Sequence, residues 1–518
     1  NCRAIDEFEQ SRGGAIYLDA QSDTAYEELR SNTFLNCTST YSGGALFVYC
    51  KDVTSTKSIK EEDIEGKYRV VLMDCNFTGC KSGFEGGAVS SGEPRTDGEE
   101  GALGDNDFML SNCYFTECES KSGGALYFQD GTPEGDEETI IMLCHFTNNF
   151  ATSGEGYSIS CRSYKLSINY CSFKDHLRAN TNQSPCIVYI EMNEAEVSPK
   201  LSLDTFENNK VSAFSIKVKN SVLLEQLTFN NYESDTISNS PIINLDSWSI
   251  NGVLTLDNCH FTNIVNIQCI SSFASSVTSN ISQCEFTNIK STIPASDTIS
   301  HYGGCIISFS KQGNMLVDRS TFTNIEVTNG NGGAIYAATE SIDITGCTFT
   351  NCHVYGKVES PENPSAQGGA IYLDGSDAEG EEIIQDCSFI ECSSIYSGGA
   401  IFICCYDQNV TSQSVKYVVH VQNCNFTKCK SEVEGGAISS GLKLANRPVE
   451  GDDDFNIYRC NFEECESGRG GALFFQDGTQ SGDEQTNINT CNFINCFATE
   501  GEGYAISCRS YKINMYFV

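Results

Sequence analysis

The chain has 518 residues, enough for several globular domains or one long solenoid. Its formal charge of -37 disfavours nucleic acid and anionic membrane as partners and favours cations and basic surfaces. Only nine prolines occur among plentiful aromatics, Val and Ile, which argues against disorder, and no run of eighteen apolar residues offers a membrane span in this stretch.

In chain order, one pattern returns. A strand rich in Val, Ile and Leu leads to a Phe, as in Tyr68–Phe77 (YRVVLMDCNF), Thr139–Phe146 (TIIMLCHF), Tyr164–Phe173 (YKLSINYCSF), Val253–Phe261 (VLTLDNCHF) and Tyr417–Phe426 (YVVHVQNCNF). The fifteen motif phenylalanines run from Phe34 and Phe77 to Phe462 and Phe493, with spacings of 23 to 43 residues. In nine motifs Asn stands two residues after the Phe, for example Asn208, Asn288 and Asn324. Asn tolerates the left-handed conformation that tight corners need, and its amide suits bonding to an equivalent Asn on the next coil. Gly-Gly pairs follow, such as 13–14, 86–87, 332–333, 398–399 and 435–436, and supply a second corner. Helical signatures are scarce. Two or three short strands per repeat, separated by fixed corners, predict an all-β fold: a parallel β-helix of about 15 coils, one per motif.

A longer period lies over the short one. Gly13–Asp19 (GGAIYLD) repeats at Gly368, and Gly154–Lys165 (GEGYSISCRSYK) returns at Gly501 as GEGYAISCRSYK. Residues 1–350 therefore read as one super-repeat and 351–518 as the first half of a second, continuous with the same solenoid. Eleven Phe motifs fill the unit, so at about 4.8 Å per coil its axial period is roughly 53 Å. No cap is legible at either end, so the chain reads as a piece of a longer tandem array or as a unit that stacks head to tail.

The motifs GGA-I (Gly13–Ile16, Gly332–Ile335, Gly368–Ile371) and F-T-N (146–148, 261–263, 286–288, 322–324, 349–351) resemble the repeats of polymorphic outer-membrane proteins. These are right-handed β-helix adhesins of the pectin-lyase-like superfamily. The resemblance covers nearly the whole chain and implies the right-handed parallel β-helix. It specifies fold better than function, because one fold hosts many functions. Abundant cysteine with N-glycan sequons departs from a bacterial adhesin and fits a secreted eukaryotic, protist-type member.

The 28 cysteines are many for a reducing compartment and point to an oxidising one. Eleven lie two residues before the motif Phe and eight lie three after it. The candidate disulfide residues are Cys75, Cys80, Cys113, Cys118, Cys347, Cys352, Cys387, Cys392, Cys424, Cys429, Cys460, Cys465, Cys491 and Cys496, with Cys404-Cys405 and Cys161/Cys508 as further candidates. Pairing across a corner within one C-x4-C and pairing between neighbouring coils both stay open, as does an inward stack of free thiols. Zinc is disfavoured, because C-x4-C recurs throughout and the six His do not cluster. Six sequons, at Asn36, Asn76, Asn182, Asn280, Asn409 and Asn425, agree with secretion and with covalent N-glycans.

Four acidic loops, Asp130–Glu138, Asp374–Glu382, Glu450–Asp454 and Asp477–Glu484, are rich in oxygen donors. The plainer reading is a solvated loop that keeps the protein soluble. The sharper one is calcium, held by Asp130, Asp136, Glu137, Asp477 and Asp483, although no loop has EF-hand order. No other cofactor is implied. Aromatics two residues after the Gly-Gly-Ala alanine (Tyr17, Phe47, Tyr127, Tyr336, Tyr372, Phe402, Phe474) predict an outward stripe. It either packs on the protein itself, meets a neighbouring filament or stacks on sugars. No Ser-His-Asp, paired-carboxylate or phosphate-loop signature stands out, and His145 and His260 sit in strand motifs, so an enzyme is not expected. The sequence thus predicts an extracellular structural protein that self-associates into a rod or fibril. A cell-surface adhesin is the second reading and a polysaccharide lyase or hydrolase the third.

Overall fold

A computed structural model describes residues 2–4, 11–20, 26–50, 68–92, 106–129, 138–152, 155–162, 165–178, 185–192, 199–218, 221–234, 241–245, 252–272, 277–293, 304–308, 310, 312–356, 366–375, 380–404, 417–441, 453–476, 485–508 and 512–516. Among these there is no helix, and the strands pair in parallel, each with its equivalent in the next coil. The fold is a parallel β-helix solenoid. The chain divides into two compact units, 1–233 with 242–252, and 234–241 with 253–518. Residue 350, where the sequence super-repeat ends, lies within the second unit.

One coil of the first unit shows how the sequence makes the turn. A lead strand, Tyr68–Met73, alternates its side chains, so that Val70 and Leu72 are fully buried. Asp74 then adopts φ 54° and turns the chain. The Phe strand, Asn76–Thr78, buries Phe77 and exposes Asn76. Gly79, at φ 61°, makes the next corner and is followed by a two-residue rung, Lys81–Ser82. Gly86 (φ 58°) and Gly87 then lead into the glycine strand, Val89–Ser91. Lead, Phe and glycine strands each stack into a sheet, and in the first unit the two-residue rungs form a separate five-stranded one.

The second unit repeats the plan. Its lead strands run from Val253–Asp257 to Lys512–Tyr516, its Phe strands from His260–Val265 to Asn492–Ile494 and its glycine strands from Ile270–Ser272 to Ile506–Cys508. Register is strict: Phe286 lies opposite Phe322, Phe322 opposite Phe349, and Phe389 opposite Phe426. The rings stack nearly face to face, 4.7 to 4.8 Å apart at these three steps. Parallel in-register strands impose that spacing, which is that of the strands themselves.

The Asn corner behaves as its chemistry requires. Asn288, Asn324 and Asn351 all have positive φ, and Nδ2 of each donates to Oδ1 of the preceding Asn at 3.0 to 3.1 Å. The sequence gives no hint that the corner before the Phe strand is left-handed as well. Asp74 and Asn112 suit that conformation, but Leu143 (φ 57°), Tyr170 (φ 57°) and Leu203 (φ 58°) occupy the same corner in the next coils. Their side chains are exposed, so no packing compensates the clash of Cβ with the backbone. The parallel ladders on either side fix the path and the side chain tolerates it. Leu143→Asn is therefore expected to raise stability by about 1 kcal/mol, read as a higher denaturation midpoint. A lower midpoint would show that the leucine makes a stabilising contact.

Candidate functional site

Chemistry-bearing side chains gather in two places, the interior columns and the outward face of the glycine sheet. Among the described residues the candidate disulfide cysteines are unbridged, and the two members of each C-x4-C enter different columns. In the first unit Cys75, Cys113, Cys144 and Cys171 form the column before the Phe strand, each thiol beside the next. Cys37, Cys80 and Cys118 form the column after it. In the second unit the corresponding columns are Cys347, Cys387, Cys424, Cys460 and Cys491, and Cys352, Cys392, Cys429, Cys465 and Cys496. All ten are buried except Cys496, which is half-buried. Burial first, then the neighbouring sulfur, pushes Cys118, Cys424 and Cys429 well above the ordinary thiol range, so these thiols stay protonated at neutral pH.

The column after the Phe strand changes character along the first unit. Beyond Cys118 it carries Asn149, His176, Asn209 and Tyr232, all buried. Asn149 Oδ1 accepts the Cys118 N–H (2.9 Å), and Asn209 Oδ1 accepts the His176 N–H (3.0 Å). Because Asn209 Oδ1 only accepts, His176 Nδ1 carries the proton in its 3.0 Å bond, and Nε2 accepts from Ser158 Oγ at 2.7 Å. Burial holds His176 down to about 4, so this neutral tautomer persists across physiological pH. Asp204 stands where the preceding column has cysteine. Its Oδ1 accepts the Cys171 N–H at 2.7 Å, and burial raises its pKa well above the carboxylate range.

One acid read from the sequence as loop is interior instead. Glu382, the last residue of the Asp374–Glu382 acidic stretch, lies in the strand Glu381–Gln385 opposite Ile342 and Val419. It is 1% exposed, and its Oε2 accepts the Ile342 N–H at 2.6 Å. Strand alternation decides this: Glu382 and Ile384 share the inner face, and Glu381 is outside. Burial raises the Glu382 pKa to about 8, against weaker lowering by Tyr417 and Ile342. A carboxyl whose pKa is raised on folding contributes its stability fully in acid and loses it as pH rises through about 8. Glu382→Gln keeps an acceptor for Ile342 and removes the titration. The variant is expected to flatten the fall in melting temperature between mildly acidic and mildly alkaline pH, measured against the parent protein. Parallel profiles would show that Glu382 does not titrate in that window.

Outside, the aromatic row is packed rather than presented. Phe47, Tyr127, Tyr336, Tyr372, Phe402 and Phe474 are buried, and Tyr17 alone of the seven is exposed, at 48%. Tyr372 stacks on Tyr336 (4.9 Å) and Phe402 (5.4 Å). Charged groups lace the same face. In the first unit Glu85 Oε2 accepts from Ser42 Oγ (3.2 Å), and burial raises its pKa. Arg162 Nε meets Glu191 Oε2 at 2.8 Å, and the same oxygen accepts from Tyr189 OH at 3.1 Å. Lys217 lies 5.3 Å over the Tyr189 ring and 3.9 Å from Glu155. In the second unit buried Glu434 pairs with Arg469, whose guanidinium lies 5.3 Å over Phe474. Each of these carboxylates has a cation or hydroxyl partner, so the arrangement ties outward side chains together. Sequence reasoning missed this lacing. The available signal was duplication, since Glu85 and Glu155 recur as Glu434 and Glu502 in the second copy.

The sequons fall on different faces. Asn36 is exposed at a left-handed corner (φ 50°). Asn76 and Asn425 hold equivalent exposed positions on the Phe strands of the two copies, and Asn280 is half-buried in a lead strand. Asn182 and Asn409 lie outside the described residues, as do Cys405 and the calcium candidates Asp130, Asp136, Glu137, Asp477 and Asp483. Among the described residues no group of three or more His, Cys, Asp or Glu could hold a metal ion. His145 stacks on Tyr114 (4.7 Å) and His260 pairs with Glu285 (3.2 Å), both on outward strand positions. Among the described residues no helix is long and apolar enough to cross a membrane.

Fold and faces together define a parallel β-helix repeat protein. Compared with family models, curated proteins and solved structures, the chain matches none.

Proposed function

We propose that this chain is an extracellular structural protein, a β-helix that self-associates into rods or fibrils at a cell surface or in a matrix. It carries N-glycans at exposed sequons such as Asn36, Asn76 and Asn425. The resemblance of its GGA-I and F-T-N motifs to those of pectin-lyase-like β-helices supports reading it as a secreted, protist-type member of that group. The observation that supports this best is positional constancy. In both units Phe is kept at the same inner position coil after coil, as in the parallel stacking of Phe115 on Phe146 and of Phe286, Phe322 and Phe349. Such columns serve a solenoid whose coils each contact only their neighbours. The outward glycine-sheet face is occupied by the protein's own ion pairs and rings. This weighs against the adhesin reading for the row it relied on, because Tyr127 and Tyr372 are 6% and 5% exposed.

Electron microscopy of native, untruncated material tests the proposal. Filaments with an axial repeat of roughly 53 Å, eleven coils at strand spacing, are the expected result. Isolated short particles would overturn the polymer. In that case saturable sugar binding would favour adhesion, and reducing-end release from acidic polysaccharide would favour catalysis.

A further inference from the structure

The interior columns decide which cysteines can join. In the second unit, the residue after each Gly-Gly is an inward alanine, and Ala334, Ala370, Ala400 and Ala437 bond backbone to backbone in succession. Two coils depart from this. Cys269 donates its N–H to Cys305 O at 3.1 Å, and Cys305 donates to Ala334 O at 2.9 Å, so the two cysteines replace alanine at adjacent positions of that column. Both are fully buried and their thiols are in contact. In the first unit the run Cys75, Cys113, Cys144, Cys171 is bounded by Asn32 before and Asp204 after, at the same position relative to the Phe. A bounded run of four leaves no thiol over in only one nearest-neighbour pairing.

We infer that Cys269 bridges to Cys305, Cys75 to Cys113, and Cys144 to Cys171, as disulfides between successive coils. The inference rests on the extracellular reading above, because it needs an oxidising compartment. In-register strands lie about 4.8 Å apart, within the roughly 4.4–6.8 Å that a disulfide tolerates between Cα atoms. Each bridge forms one S–S bond and removes two protons and two electrons. A second disulfide, protein or glutathione-type, takes them and leaves as two thiols. Because these sulfurs are buried once coils stack, the exchange belongs to folding, as each coil is laid on the last. The cysteines of one C-x4-C, such as Cys75 and Cys80, stand in different columns and are not partners.

Peptide mapping without reduction tests this on the native full-length protein, with thiols alkylated in acid before digestion. Linked peptides Cys269–Cys305, Cys75–Cys113 and Cys144–Cys171 are expected. Alkyl groups on all six cysteines, or a Cys75–Cys80 or Cys113–Cys144 link, would overturn the assignment. Fully alkylated thiols with glycans on Asn36 and Asn76 would overturn the bridges alone, whereas alkylated thiols with bare sequons would overturn the extracellular reading too. The double variant Cys269→Ala/Cys305→Ala restores the residue that the column carries elsewhere. It is expected to fold and to lose that linked peptide and part of the drop in melting temperature caused by reductant. An unchanged reductant sensitivity would count against the Cys269–Cys305 bridge.

Discussion

Replacing Phe426 by Ala is expected to cost about 3–5 kcal/mol, with the loss confined to neighbouring coils. The ring is fully buried and stacked between Phe389 (4.8 Å) and Phe462 (4.9 Å), so truncation leaves a void with rings on both sides. Strands held in register by their ladders cannot close over it, because shifting one coil breaks hydrogen bonds to two others. Hydrogen exchange followed coil by coil is the suitable measurement. Protection should fall around Phe389, Phe426 and Phe462 and persist near Phe286. Uniform loss of protection would contradict a solenoid in which each coil depends only on its neighbours.

Gly399→Ala is the second large effect, and its cause is backbone rather than side chain. A Cβ on Gly399 would fall inside contact distance of Gly436 O and 2.6 Å from Lys430 O, both carbonyls of the next coil. The adjacent Gly435 O accepts the Gly399 N–H at 3.1 Å, so the two backbones cannot move apart to relieve the clash without breaking that bond. The expected penalty is about 3 kcal/mol, and local separation of the two coils is the alternative to paying it. Gly501 is the control. Unlike Gly399 it has positive φ, at 86°, but an added Cβ meets nothing within 4 Å, so Gly501→Ala bears backbone strain alone and should lower a denaturation midpoint much less. Equal losses at both glycines would mean that the closeness of coils at Gly399 costs no more than backbone strain does at Gly501.

The two variants probe what was legible from the start. The Phe motif and Gly-Gly pair are local, repeated and chemically unambiguous, and Phe426 and Gly399 do what their spacing implies. The candidate sites were less readable. The outward position of Tyr127 and Tyr372 follows from strand alternation, but their burial depends on side chains far away in sequence. The partnership of Arg162 with Glu191 joins neighbouring glycine strands across a variable loop, which no linear motif records. His176 and Asn209 replace cysteine in a column visible only once coils are aligned, and each looks ordinary within its own segment.

The sequence by itself determined the class of fold, the corner chemistry and the super-repeat. Period-two alternation, Asn at left-handed corners and glycine at close approaches are properties of single residues and their immediate neighbours. Tertiary structure alone decided which cysteines share a column, that Glu382 is interior rather than part of a solvated loop, that Leu143 and Tyr170 are held in left-handed corners, and that the aromatic row is covered. The physical reason is the same in each case. Coil-to-coil register brings together residues separated by loops of unequal length, and burial, pKa and strain are set by those neighbours rather than by the residues on either side in the chain.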